Sequence, residues 1–272
     1  MTRRHGIHVI RQTFDQLQTS ASLDPTTQAL LISPSPALSS NAPPIEISTI
    51  YFRAGYTPTD YPTPAHYTTR FTLEKSLAIK CPTIPLQLAG GKKVQEVLTR
   101  PGELEKFFGK EQGEDVKEMR DSWMGIWGLD DEAGFIKAQT DFQNLVLKPQ
   151  REGGGNNVYH TFIPSFLQTL PRKEREAWIV MELISVPSSV QGYLVRAGAG
   201  NGAVRGEVVS ELGIFGWSLF GGENGVMKEK EVGWLMRTKG KESDEGGVAA
   251  GFSVLDSLVL IDDPPSHSQV TL

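Results

Sequence analysis

The stretch LVLKPQREGGGNN, Leu145 to Asn157, constrains this chain more than any other. Leu145-Val146-Leu147 reads as a short buried strand, and Pro149, which has no N–H to donate, ends its ladder. Lys148 precedes that proline; Gln150, Arg151, Glu152, Gly153, Gly154, Gly155, Asn156 and Asn157 follow it. Each ordered glycine costs roughly 0.5–1 kcal/mol against alanine. A surface linker tolerates that cost, yet linkers are rarely framed by a buried strand, three charged side chains and two asparagines. The sharper reading is a loop whose bare N–H groups approach an anion. Glu152 adds to it. A carboxylate about 4 Å from a phosphate oxygen is repelled by roughly 4 kcal/mol at an effective dielectric of 20, so a divalent cation must lie between them. Hard oxygen ligands suit Mg²⁺. On this segment alone the alternative is a surface loop whose glutamate faces water.

A second glycine-rich element supports the anion reading. RTKGKESDEGGVAAG, from Arg237 to Gly251, places a basic strand end before an acidic loop and a run with almost no side chains. Two such loops, each flanked by Arg and Lys, suit closure over a charged substrate. The familiar nucleotide motifs are missing: AGGKKVQ at Ala89 has neither the spacing nor the Ser/Thr of a Walker loop, and no GxGxxG occurs. The strand containing Met181, Glu182, Leu183 and Ile184 could line an adenine slot. Glu211, set between apolar neighbours in VVSELGIFG, needs a lysine or a nucleotide hydroxyl as partner if partly buried.

The rest of the composition excludes several classes. A net charge of -5 over 272 residues offers no global field for nucleic acid. Cys81 is the only cysteine, which rules out a disulfide framework and points to a buried or half-buried thiol. No run approaches a membrane span or a secretory core, so a soluble, cytoplasmic protein without membrane partners is expected.

Along the chain, HGIHVI reads as a strand, IEISTIYF as another, and Thr63-Pro64 as a helix start with Tyr67, Phe71, Leu73, Leu77 and Ala78 on its apolar face. Two short helices are expected between Ala89 and Phe108, broken at Pro101-Gly102. EDVKEMRDSWMGIWGLD reads as a further helix, with Met119, Trp123 and Trp127 four residues apart and core-facing. A helix around Phe162 to Leu170, the strand WIVMELI and three glycine-punctuated strands follow. The fold class is α+β, with helices first and an antiparallel, Gly-rich sheet in the C-terminal half, then a disordered tail over 263–272.

LKPQREGGGNN, SELGIFG, LMRTK and DEGGVAAG, with QLAGGKKVQ and YFRAGYTPTDYPT, resemble eukaryotic glutathione synthetase, an ATP-grasp ligase, in order from about Ile7 to Asp256. The resemblance implies an ATP-grasp fold over 87–262, preceded by part of an α/β substrate-binding domain over 1–86. It implies a homodimer that joins γ-glutamylcysteine to glycine with ATP and Mg²⁺. Lys92 and Lys148 would contact phosphates, the loop Pro149 to Asn157 would cover them, and Glu152 would ligate the metal. Tyr159, Met181 to Ile184, Glu211 and Lys239 would hold the nucleotide, with Glu245 in the closing loop. Arg53, Ala54, Gly55, Tyr56, Val248 and Ala249 would face the peptide, and Arg237 would serve both its binding and catalysis. Gly91 and Tyr67 depart from the family's threonine and tryptophan. The resemblance also implies a long N-terminal part, with further Mg²⁺ ligands, that would be missing before Met1. The alternative expectation is therefore a truncated, non-catalytic chain or pseudoenzyme that keeps nucleotide binding.

Overall fold

The computed structural model describes residues 2–34, 42–151, 155–186, 190–195, 202–221, 225–243, 248, 251 and 253–258. The expected tail falls outside them. The chain divides into two compact units, one of Met1–Glu152 with Val158–Glu182, the other of Gly153–Asn157 with Leu183–Leu272.

The first unit opens with a short helix, α1 (Thr2–His5); HGIHVI, His5 to Ile10, was expected to form a strand, but residues 6–10 join no sheet, and Ile7 and Val9 are exposed. Period-2 alternation makes a strand only against a partner ladder. Helix α2 (Phe14–Ser20) starts at a capping box: Gln16 N–H donates to Thr13 Oγ1 and Thr13 N–H donates to Gln16 Oε1. Strands β1 (Ala21–Leu23), β2 (Leu30–Ile32) and β3 (Ile45–Ile47) form an antiparallel sheet. IEISTIYF is two strands, because the chain bends at Ser48 and β4 (Thr49–Tyr51) leaves to pair in parallel with β5 (Ile79–Cys81). Cys81 is a free, exposed thiol, not a buried one.

Between β4 and β5 runs α3 (Pro64–Lys75), with Thr63 in the N-cap position and Pro64 first, as the sequence indicates. Its expected apolar face holds at Leu73 and at Ala78 beyond the helix end, and fails elsewhere. Tyr67 and Phe71 are exposed, as is Leu77 beyond the helix end, while His66, Thr69, Arg70 and Leu73 are buried. Polar partners explain this. Arg70 lies 3.7 Å over the Phe52 ring, meets Glu74 at 3.1 Å and donates to the Pro82 carbonyl; His66 bridges Thr63 Oγ1 at 2.8 Å and Asp15 at 3.1 Å. Leu30, Ile32, Leu73 and Ala78 form the local core.

Helices α4 (Ile84–Ala89) and α5 (Lys92–Thr99) precede the Pro101-Gly102 break, and α6 (Gly113–Asp121) follows it. The expected helix through Trp127 stops at Asp121. Trp127 sits instead on β6 (Ile126–Gly128), packed against the core. Ser122 caps the helix end, and beyond it the chain takes long-range partners: Gly125 N–H donates to Glu182, 57 residues away. Then come α7 (Glu132–Thr140), β7 (Leu145–Pro149), β8 (Val158–Tyr159), α8 (Phe162–Thr169) and β9 (Trp178–Glu182). The four strands form a sheet in the order β6-β9-β7-β8, antiparallel throughout. Leu145, Leu147 and Val180 bury one face of it against Ala138 of α7 and Ile163 and Leu167 of α8.

The second unit is an antiparallel sheet in the order β10 (Gln191–Leu194), β11 (Val204–Phe220), β12 (Val226–Gly240), β13 (Ser253–Asp256). It matches the Gly-rich sheet expected for the C-terminal half.

Candidate functional site

Strand alternation decides where the lysine of the opening motif points. Leu145 and Leu147 enter the core, so Val146 and Lys148 take the opposite face. In register, Val146 lies opposite Tyr159 on β8 and Met181 on β9, and Lys148 lies opposite Ile179. Directly paired residues share a face. Lys148, Tyr159 and Met181 therefore stand on one side of the sheet, away from α7 and α8. Pro149 is not part of the loop: it is buried as the last residue of β7, opposite Trp178. Glu182 lies opposite Leu145, and its carboxylate accepts from Gly125 N–H at 2.9 Å and sits 3.5 Å from the Lys137 ammonium. That is a structural role. Leu183 and Ile184 lie beyond the strand end, Ile184 exposed.

The start of α5 meets the loop that leaves β7. Gly91 is the N-cap, without a side chain to cap the helix. Lys93 N–H donates instead to Gln150 Oε1 at 2.9 Å, and the Lys92 ammonium donates to the Arg151 carbonyl at 3.2 Å. Gln150 and Arg151 are exposed. Glu152, Gly153 and Gly154 lie outside the described residues. Gly155 has φ +86 with open space where a Cβ would be, a backbone that suits glycine; Asn156 is exposed and Asn157 half-buried.

Sequence reasoning missed the charges behind this turn. Lys93 lies 2.7 Å from Asp130 and 3.1 Å from the buried Glu96, which also binds Arg100 at 2.8 Å. Burial alone would lower the Lys93 ammonium, but hydrogen bonds to Asp130 and Glu96 outweigh it and hold the pKa above the ordinary lysine value. Burial would raise Asp130; the bond from Lys93 overrides it, and the carboxyl sits below the ordinary range. The spacing of Lys93, Glu96 and Arg100 was legible, but it reads as a solvated helix face.

The segment Arg53 to Tyr56 is held by Asp60. One Asp60 oxygen accepts from Gly55, Tyr56 and Thr57 N–H at 3.0, 3.1 and 3.0 Å and from the Thr57 hydroxyl at 3.0 Å. Tyr61 and Gln87 both donate to the Gly55 carbonyl. Gly55 has φ +89, and a Cβ there would lie 2.9 Å from Phe14 and from the Tyr61 hydroxyl. Two of the segment's N–H groups are thus already committed. Arg53, Ala54 and Tyr56 have exposed side chains.

In the second unit, Glu211 lies directly opposite Arg237, and Lys239 lies two residues on, opposite Val209. All three therefore share a sheet face. Glu211 is exposed rather than partly buried, and its partner is the Arg237 guanidinium, not a lysine. The Lys239 ammonium donates to the Ser243 carbonyl at 2.5 Å. Val248 is half-buried. Glu245 and Ala249 lie outside the described residues.

Within the first unit, Lys92, Lys148 and the start of α5 offer N–H donors of the kind phosphate oxygens accept. Among the described residues no group of three or more His, Cys, Asp or Glu could hold a metal, and Glu152 is not described. No helix among the described residues is long and apolar enough to cross a membrane.

Comparison with known proteins bears on this arrangement. The family described as eukaryotic glutathione synthase, ATP binding domain, matches residues 4–260. The chloroplastic glutathione synthetase of Arabidopsis thaliana is 37% identical over 265 residues, covering 96% of this chain and 46% of that protein. The Homo sapiens glutathione synthetase is 39% identical over 257 residues, 93% of this chain and 51% of that protein. The chain thus spans about half the length of the curated relatives it matches. A glutathione synthetase-like effector of Globodera pallida, solved in its apo form, superimposes with a TM-score of 0.63 at 22% identity over 94% of this chain and 49% of that one, a likeness of fold. The chain belongs to the eukaryotic glutathione synthase family, through its ATP-binding domain.

Proposed function

We propose that this chain carries the nucleotide site of an ATP-dependent ligase that joins γ-glutamylcysteine to glycine, built on an ATP-grasp fold. The observation that carries the reading is the shared face of Lys148, Tyr159 and Met181, with Lys92 bound to the loop that leaves Lys148. Lys148 and Lys92 hold the phosphates, and Tyr159 and Met181 contact the base. Glu211 and Lys239 hold the nucleotide from their sheet face, with Glu245 in the closing loop.

A carboxylate is a poor electrophile, and phosphorylation makes it an acyl phosphate that the glycine amine attacks. The lysines stabilise charge on the transferring phosphoryl group. Arg53, Ala54, Gly55 and Tyr56, with Val248 and Ala249, face the peptide. Arg237 offers paired N–H donors to the activated end. Closing glycine loops keep water from the acyl phosphate. Glu152 is the candidate holder of Mg²⁺, which when bound neutralises phosphate charge. The same reading places part of the substrate-binding domain in residues 1–86 and the ATP-grasp domain in 87–262. It also implies a homodimer in the cytoplasm, with sedimentation as the check on assembly.

Calorimetric titration of the chain with ATP·Mg²⁺ tests the site. Lys148→Ala should lose roughly 1.5–3 kcal/mol of binding, the value of a hydrogen bond to a charged group. A folded wild type that binds no ATP at millimolar concentration ends the nucleotide reading. Glycine-dependent ADP release with γ-glutamylcysteine tests the ligase reading itself.

A further inference from the structure

We propose that Lys93, anchored by Glu96 and Asp130, is the positioning residue of the nucleotide site: it fixes the first turn of α5 and thereby the aim of Lys92. The inference rests on the reading of Lys92 as a phosphate contact.

Glu96 is 3% exposed, and a buried carboxylate persists only when paired. It takes Lys93 at 3.1 Å and Arg100 at 2.8 and 3.1 Å. The same two cations reach across to the segment between β6 and α7, Lys93 to Asp130 at 2.7 Å and Arg100 to Asp131 at 3.5 Å. Gly128, at the end of β6, makes room for the crossing: a Cβ there would lie 2.7 Å from the Lys93 ammonium and 2.5 Å from Asp130. Through its backbone, Lys93 also donates to Gln150, in the loop that follows Lys148. One residue is therefore tied by its side chain to the end of a packed sheet and by its N–H to the phosphate loop. Lys92 is its neighbour, directed to the Arg151 carbonyl. Freeing the Lys93 ammonium would unfix the turn that carries Lys92 while leaving Tyr159 and Met181 on the sheet untouched.

The sign of the effect separates positioning from plain charge. Neutralising Asp130 or Glu96 removes a carboxylate near a bound polyanion, which by Coulomb's law alone should tighten ATP binding. Positioning predicts weaker binding. The experiment titrates the 272-residue chain and its Asp130→Asn and Glu96→Gln variants with ATP·Mg²⁺ and, separately, with AMP. ATP affinity should fall roughly fivefold in each variant, the size of a coupling within one ion-pair network, with AMP affinity unchanged. Asp130 lies at the surface, so its variant carries the test if Glu96→Gln fails to fold. ATP binding by Asp130→Asn as tight as wild type, or tighter, overturns the inference; so does an equal loss for ATP and AMP, which would mark general loosening. A folded wild type that binds neither nucleotide overturns the nucleotide site and this inference together. Wild-type binding with no effect of the variants overturns this inference alone.

Discussion

Asp60 shows how much of a loop one side chain can fix. It collects three N–H groups and a hydroxyl, an anion nest filled from within the chain. Burial would raise its pKa, but the bonds from Thr57, Gly55 and Tyr56 outweigh burial and hold it below the ordinary 3.8. A depressed carboxyl contributes stability above its unfolded pKa and loses it as pH falls through the folded one. Asp60→Asn should therefore destabilise the protein by about 1–2 kcal/mol at neutral pH, discounted for solvent screening. The gap to wild type should close as pH drops below about 4, measured by urea unfolding. A gap that persists in acid would mean that the carboxylate's charge is not what the loop depends on. Pro58 and Pro62 mark the stretch around Asp60 as a turn in the sequence. That its aspartate would turn back onto the preceding glycine was not legible, since such a bond depends on the φ +89 conformation of Gly55.

At the scale of elements, α3 is the sharpest lesson. Its N-cap and its proline were readable because they act locally. Of its buried face only Leu73 was, because Arg70 and His66 are buried by partners at Phe52, Pro82 and Asp15, which periodicity cannot report. Leu73→Ala should cost about 2–5 kcal/mol, whereas Phe71→Ser should stay within roughly 0.5 kcal/mol. Thermal unfolding compares the two, and a large loss from Phe71→Ser would restore the face that periodicity suggested. Strand β7 was legible for the opposite reason: three consecutive apolar residues, each buried on folding, need no partner to be named. The site divides in the same way. Lys92 and Lys148 stand in improbable motifs, while Lys93, Glu96 and Asp130 look like ordinary surface charges until the chain brings residues 93 and 130 within 2.7 Å.

Across the whole molecule, burial is uneven. Nearly all fully buried apolar side chains belong to the first unit, whereas the second keeps only Val208, Thr238 and Ser253 below the surface among its described residues. Strand β11 runs for 17 residues, about 55 Å of extended chain. Strand β10 covers its outer side only from Val204 to Glu207, and β13 covers β12 only from Met236 to Lys239. The hairpin beyond them, 212–235, carries Ile214, Trp217 and Trp234 in the open, and among the described residues neither of its outer edges is paired. Such a ribbon is a template for strand addition by any chain it meets. What guards it is the register shift at Phe215/Gly216, which twists the ladder, and the alternation Lys228-Glu229-Lys230-Glu231 along one edge. Replacing Lys228 and Lys230 by valine should turn a dispersed protein into one that elutes as higher oligomers on size exclusion; an unchanged elution volume would place the protection elsewhere. By that prediction a run of four charges with no part in the proposed nucleotide site sets the concentration at which this protein stays dispersed, and one strand edge governs its colloidal behaviour.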